Sequence, residues 1–169
     1  LTIQFGTSMC YPISSFGAHV AARPRTSLKT RGNVAMCGTF GYELDPRKLT
    51  DDEKAEVKQQ IADYRKYHCL VREGDFYRLV SPTENDFYCA WEFVSPDKQE
   101  AMMTSVVMRQ PETRYCVQRL RGLDPKTYYQ DEETGTVYSG AMLMNAGLNL
   151  TRDVYEDGTS VTKHFKAVK

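Results

Sequence analysis

Thr50-Asp51-Asp52-Glu53-Lys54-Ala55-Glu56-Val57 opens the stretch whose reading decides the fold, and Glu73-Gly74-Asp75-Phe76-Tyr77-Arg78-Leu79-Val80 closes it. Thr50 and Glu53 stand three apart as a capping box, in which hydroxyl and carboxylate each satisfy a free amide at a helix start. Asp51, Asp52 and Glu53 place negative charge at the positive end of the helix dipole. Val57, Ile61, Tyr64 and Val71 then recur at helical spacing, and Gly74 supplies a stop. A helix over residues 50–73 is about 36 Å long at ~1.5 Å per residue. A rod of that length needs a large body to lie against.

Upstream of this helix the chain alternates. Residues 7–11 (Thr-Ser-Met-Cys-Tyr) read as a short buried strand, and 12–17 as a loop of Pro, Ser and Gly. Residues 27–37 read as a helix capped by Ser27 and weakened by Gly32, and 39–44 as a strand ended by Asp45-Pro46. Strand, helix, strand, helix with short links is the grammar of a parallel α/β sheet or barrel. Beyond Gly74 the pattern changes. Residues 76–80, 87–94, 101–109, 116–120 and 160–168 are aromatic and β-branched, with Pro82, Pro96, Pro111 and Pro125 between them. That spacing predicts an antiparallel sandwich. Asp131-Glu132-Glu133-Thr134-Gly135 reads as an exposed turn between residues 127–130 and 136–138. The boundary between the two patterns falls near Gly74.

Composition narrows the function classes. Hydrophobic residues make 41% of the 169 and charged residues 26%, enough to bury a core. Lys plus Arg, at 22, cancels Asp plus Glu, at 22, so the clustered positive charge of a nucleic-acid binder is missing. No apolar run approaches the ~20 residues needed to cross a bilayer. Cys10, Cys37, Cys69, Cys89 and Cys116 are scattered and never form a CxxC pair, which excludes a zinc ribbon. Buried free thiols in the cytoplasm fit best, against the weak glycosylation triplet Asn149-Leu150-Thr151. Leu1-Thr2-Ile3-Gln4-Phe5 reads as the middle of an element. The expectation is an excerpt of a longer protein whose chemistry lies upstream.

The residues themselves supply little chemistry. Glu43 and Asp45 share a face at a strand end, where a barrel would hold an acid and a base; a charged strand end leading into a loop is the simpler reading. His19, His68 and His164 have no partner at ligand spacing, so no metal site is expected. Cys10 and His19 could pair only if the intervening loop folded back. Residues 140–147 lack a phosphate-loop pattern. Trp91, with Phe87, Tyr88 and Phe93, could stack on a sugar, but alternation along a strand sends half of these side chains into a core.

A family resemblance adds what the chemistry does not. Phe5-Gly6-Thr7-Ser8, Tyr11-Pro12 and Gly17-Ala18-His19-Val20 are followed by residues 29–36 (Lys-Thr-Arg-Gly-Asn-Val-Ala-Met) and Phe40-Gly41-Tyr42-Glu43-Leu44-Asp45. The helix from Glu53-Lys54 to Tyr64 comes next, then Gly74-Asp75-Phe76-Tyr77-Arg78-Leu79, Gly122-Leu123-Asp124-Pro125 and residues 138–147 (Tyr-Ser-Gly-Ala-Met-Leu-Met-Asn-Ala-Gly). In this order the strings resemble the late barrel and C-terminal module of bacterial α-galactosidases of glycoside hydrolase family 36. The resemblance implies an N-terminal β-supersandwich, a (β/α)8 catalytic barrel and a C-terminal antiparallel module. It implies a nucleophile in a Lys-Trp-Asp motif and an acid/base in a Ser-Asp-x-Thr-Asp motif, upstream of Leu1. Neither motif occurs here. After His19-Val20 the family has a longer loop with Pro-Asn-His-Gln; here Pro24 is followed by Arg25-Thr26-Ser27 and about six residues of that pattern are absent, through either a shortened loop or a piece missing from the sequence.

The resulting expectation is an α/β segment followed by an all-β one. Residues 1–73 would be the last strands and helices of a (β/α)8 barrel, and residues 74–169 a C-terminal antiparallel β-sandwich. The parent would hydrolyse terminal α-galactosyl residues of melibiose- or raffinose-type sugars with retention, using no cofactor and no metal. This chain would hold no catalytic residue, and Tyr11, Ser14, Ser15 and His19 would be its substrate-binding candidates at the barrel mouth. Its partners would be the galactoside, the upstream domains of the same protein and further copies in a homo-oligomer, with neither nucleic acid nor membrane. The competing reading is a non-catalytic β-sandwich module that binds carbohydrate or protein through Trp91 and its neighbours.

Overall fold

A computed structural model describes all residues except 23–25, 113–114, 155 and 169. The segment around Pro24, where the sequence departs from the family's pattern, therefore lies partly outside the described residues. In chain order the elements are α1 (Thr2–Cys10), β1 (Gly17–Ala21), α2 (Leu28–Ala35), β2 (Thr39–Glu43) and α3 (Asp51–Glu73). There follow β3 (Asp75–Val80), β4 (Tyr88–Val94), β5 (Glu100–Val107), β6 (Val117–Gln118), β7 (Tyr128–Asp131), β8 (Val137–Ser139), α4 (Gly140–Asn145), β9 (Leu148–Asn149) and β10 (Ser160–Val168).

The strand expected over residues 7–11 is a helix instead, and it starts earlier. Phe5 and Ser8 are its buried residues, and Leu1 is packed against the same core. These positions repeat every three to four residues, the helical period. A reading begun at Thr7 cuts that period off. Arg78 of β3 fastens α1 to the sheet, donating from Nε to Ser8 Oγ at 2.9 Å and from its terminal nitrogen to the Ser8 carbonyl.

The two expected helices form with their caps. Ser27 Oγ accepts the Thr30 amide, and both halves of the Thr50–Glu53 capping box are present. Between α1 and α2 lies an unforeseen strand, β1, which pairs with β2 in parallel, His19 opposite Gly41 and Ala21 opposite Glu43. Ala18, Val20, Leu28 and Ala35 form the core beneath this pair, with Phe40, Tyr42, Leu44 and Val57 packed on it. Gly32 explains itself here. A Cβ at that position would lie 2.3 Å from the Gln60 amide carbon. The glycine lets α2 and α3 approach around buried Gln60, which accepts from the Tyr42 hydroxyl and donates to Leu28 O.

The strands after Gly74 assemble as expected into an antiparallel sheet, in the order β3-β4-β5-β10-β7-β8. A thin second layer of β6 paired with β9, together with α4, covers one face. Residues 89–94 are buried without interruption, because alternate side chains enter two different cores. Cys89, Trp91 and Phe93 join Met102 and Val106 on the face that meets Phe5, Ile13, Cys37, Leu70 and Val71. Val94, Ala101, Met103, Val107 and Phe165 belong to the other core, with Leu120, Leu143 and Leu150. Residues from both sides of Gly74 thus build one core.

The expectation of buried thiols holds for Cys37, Cys89 and Cys116, whereas Cys10 and Cys69 are exposed on their helices. Trp91 is 4% exposed, so it is a core residue and offers no platform to a sugar. Trp91→Ala should cost ~3–5 kcal/mol of stability, as large aromatic truncations in cores do. Urea unfolding of the two proteins measures it, and a loss under ~1 kcal/mol would show the site collapsing without strain. Gly32→Ala should also destabilise, although alanine is intrinsically favoured in helices by about 1 kcal/mol. A variant melting at or above wild type would show that Gln60 yields without loss.

Candidate functional site

The β1–β2 pair packs one face on α2 and α3. Its alternation leaves Gly17 and His19 of β1 outward, while Ala18 and Val20 point down. Thr39, Gly41 and Glu43 take the same outward parity on β2 by their register. His19 Nδ1 and Glu43 Oε1 meet at 2.8 Å. The imidazole rests on bare backbone: a Cβ at Gly41 would come within 2.9 Å of His19 Cδ2, and one at Gly17 within 3.2 Å of Nε2. Two glycines therefore hold a strand-borne histidine flat against its own sheet, with its position fixed by a carboxylate at the end of the next strand.

The other sequence candidates lie elsewhere. Tyr11 caps the end of α1 and is 63% exposed. Ser14 and Ser15 form a short 3-10 turn just before β1; the Ser15 hydroxyl donates to Pro12 O, and the Ser14 carbonyl accepts from Thr39 at the start of β2. These three residues stand where the strands begin, while Glu43 stands where β2 ends. His19 is the only one of the four that the structure brings to Glu43. His19 itself lies within β1, not after a strand-end loop, and its polar contact is Glu43, not Cys10.

Glu43 and Asp45 do not act as a pair either. Asp45 accepts from the backbone and guanidinium of Arg47, at 3.0 and 2.9 Å. The Arg47 hydrogen bonds hold its carboxyl below the usual carboxylate range. An acid/base couple needs one carboxyl pushed up while the other stays ionised, and Asp45 is held down by Arg47 instead.

Residues 1–74 match the family described as Melibiase, and residues 88–165 match the glycosyl hydrolase family 36 C-terminal domain. This chain belongs to glycoside hydrolase family 36. The alpha-galactosidase AgaA of Geobacillus stearothermophilus is 49% identical over 157 residues, which is 89% of this chain and 21% of that protein. The bifunctional alpha-galactosidase/sucrose kinase AgaSK of Mediterraneibacter gnavus is 44% identical over 155 residues, 88% of this chain and 16% of that protein. The solved galactosidase domain of AgaSK superposes with a TM-score of 0.93 at 41% identity, covering 98% of this chain and 24% of that one. The crystal structure of AgaA gives 0.90 at 46%, with the same coverage. The family 36 chain thus spans between a sixth and a quarter of the length of these relatives. Among the described residues, no helix is long and apolar enough to cross a membrane.

Two polar features of this family 36 chain escape the sequence reading. The acidic turn is exposed from Glu132 to Gly135 as expected, but Asp131 at its start is 2% exposed, and Glu132 ties strands to α3 through His164, Lys66 and Lys166. The signal available was Lys163 and His164, adjacent in the last strand, which have no reason to be buried alone. The second feature is Glu92, fully buried in β4. One oxygen accepts the Arg121 amide at 2.8 Å, and the other has no protein partner among the described residues. Burial pushes its carboxyl from 4.5 up to about 8. The folded chain therefore holds a proton that the unfolded chain releases as pH rises from 4.5. Its contribution to stability is full below that value and is lost as pH climbs through about 8. Glu92→Gln keeps an acceptor for Arg121 and cannot ionise. Its melting temperature relative to wild type should rise steadily across this range, and a constant difference would mean that Glu92 is already ionised in the fold.

Proposed function

We propose that this chain completes the catalytic barrel of a retaining α-galactosidase and carries that enzyme's C-terminal antiparallel module. The observation that supports this best is the superposition of nearly the whole chain on α-galactosidases at TM-scores of 0.90 and above. In this reading the β1-α2-β2-α3 unit is barrel wall, its helices outward and the face with His19 and Glu43 turned to the interior. Terminal α-galactosyl residues of raffinose-type sugars are the substrate class, because variants of AgaA from Geobacillus stearothermophilus have been crystallised with raffinose and with stachyose. Retention needs two carboxyl groups ~5–5.5 Å apart, one forming a glycosyl-enzyme and one moving the proton. The motifs that the family resemblance implies for them do not occur in this sequence, so both come from elsewhere in the enzyme. The remaining domains of the same protein are then its partners, and the homo-oligomer and the cytoplasmic setting belong to the same reading. The barrel's active face is the end where strands finish. On that ground His19 and Glu43 stand nearer the sugar than Tyr11, Ser14 and Ser15 do. The competing module reading depends on Trp91, which is buried.

Two assays test this. The 169-residue chain alone should release no chromophore from a nitrophenyl α-galactoside above an empty-vector control; clear turnover would overturn the proposal. In the complete enzyme, His19→Ala should lower kcat/KM by roughly tenfold or more, since small misplacements at a site are costly. Ser14→Ala should stay within about twofold of wild type. The reverse order of effects would place the active end of the strands wrongly.

A further inference from the structure

His164, near the middle of β10, is 6% exposed, and both of its ring nitrogens face carboxylates. Nδ1 lies 2.8 Å from Glu132 Oε2, in the β7–β8 turn, and Nε2 lies 2.5 Å from Glu100 Oε1, at the start of β5. A neutral imidazole has one N–H and one lone pair. Between two carboxylates, such a ring would turn its lone pair onto an acceptor at hydrogen-bond distance. That arrangement is repulsive and, in a buried place, costly. The geometry therefore requires one proton more than a neutral ring between two ionised carboxylates.

The surroundings decide where that proton sits. Glu132 also receives Lys66 of α3 at 2.5 Å and Lys166 of β10 at 2.9 Å. With these hydrogen bonds its carboxyl falls to about 2, although its partial burial acts the other way. Glu132 is thus an acceptor only, and Nδ1 must donate. Glu100 has His164 as its ion-pair partner, so the proton between Nε2 and Glu100 binds that pair. The Tyr67 ring of α3 packs on the imidazole with centroids 4.4 Å apart, and its hydroxyl reaches Glu132 at 3.4 Å. Asp63 lies one turn earlier on α3, and Lys29 of α2 lines the same groove. Every strong contact in the cluster runs between α3 and the six-stranded sheet, or between the strands that receive it.

We infer that His164 is a buried cation that latches α3 onto the six-stranded sheet, and that the latch loosens when rising pH removes its proton. Glu132 is the shared anchor: it takes the sheet's histidine and the helix's Lys66 on the same oxygen. Once the ring is neutral, either Nδ1 repels Glu132 or Nε2 repels Glu100, and the ring must turn away from Tyr67. The inference concerns the joint between the two family-matched segments and does not depend on the substrate proposed above.

The test is made on the full chain. Long-range nitrogen–proton NMR of ¹⁵N-histidine protein reads both ring nitrogens of His164 directly. At neutral pH both should carry protons. A neutral tautomer there overturns the inference, whatever any variant does. Hydrogen exchange followed by mass spectrometry then reads the consequence. After correction for intrinsic rates, residues 64–73 should exchange about tenfold faster at a pH where the ring is neutral, a change of ~1.4 kcal/mol in opening. Thr50 to Val57, which the cluster does not touch, should show no such step. His164→Gln retains a single donor and should exchange fast at both pH values; Glu100→Gln should move the NMR midpoint down. A wild-type helix whose exchange follows no pH step, or steps equally along its whole length, would show that the ring is not the latch.

Discussion

Trp91, Phe93 and Met102 present one apolar face of the six-stranded sheet to Phe5, Leu70 and Val71, and neither surface has another place to go. Central strands that are apolar on both faces must be covered twice. Leu120, Leu143, Leu150 and the β6–β9 pair cover one side, while α1 and the end of α3 cover the other. The rest of the arrangement follows from that second cover. It fixes where α3 ends, and α3 in turn holds α2 and the β1–β2 pair through Gln60 and Val57. Gly74 marks a change of pattern in the sequence, but the packing runs straight across it.

What the sequence made legible was whatever is encoded over a few neighbouring residues. The α3 start is local chemistry, a hydroxyl and a carboxylate three residues apart, and it forms as read. The turn at residues 131–135 and the aromatic strands on either side of it are equally local. Residues 7–11 failed because a strand and a short amphipathic helix present the same few apolar letters, and the periodicity that separates them began at Leu1. Missing that helix also displaced the loop after it. With a strand before them, Ser14 and Ser15 would follow a strand end; with a helix before them, they lead into β1. One wrong element thus moved three site candidates to the opposite end of the strands.

Glu92, Asp131 and His164 were illegible for a different reason. Charge in a sequence reads as solvent exposure, and only tertiary partners reverse that. Lys163 is 7% exposed and pairs with Asp131 and Glu133 on the opposite face of β10 from His164. The last strand therefore carries charge inward on both faces, each matched by the same acidic turn. A run of three acids ahead of Thr134-Gly135 gives no hint of this until β10 and β7 are known to be neighbours.

In the proposed enzyme the β1–β2 pair would be a surface prepared in one segment for chemistry held in another. Two parallel strands bury too little to be stable by themselves, and parallel sheets are normally covered on both faces. Here one face is covered by α2 and α3, and those are fixed by the sheet beyond them. The other face has glycine at positions 17 and 41, so the backbone itself is the surface against which His19 lies. The ring lies on this floor with its Nδ1 bound to Glu43 and its Nε2 over Gly17. Its orientation is set before any substrate arrives. In the proposed enzyme the carboxylates that do the chemistry would close over this surface, and the module after Gly74 would act at a distance, through α3, by keeping the floor where it is.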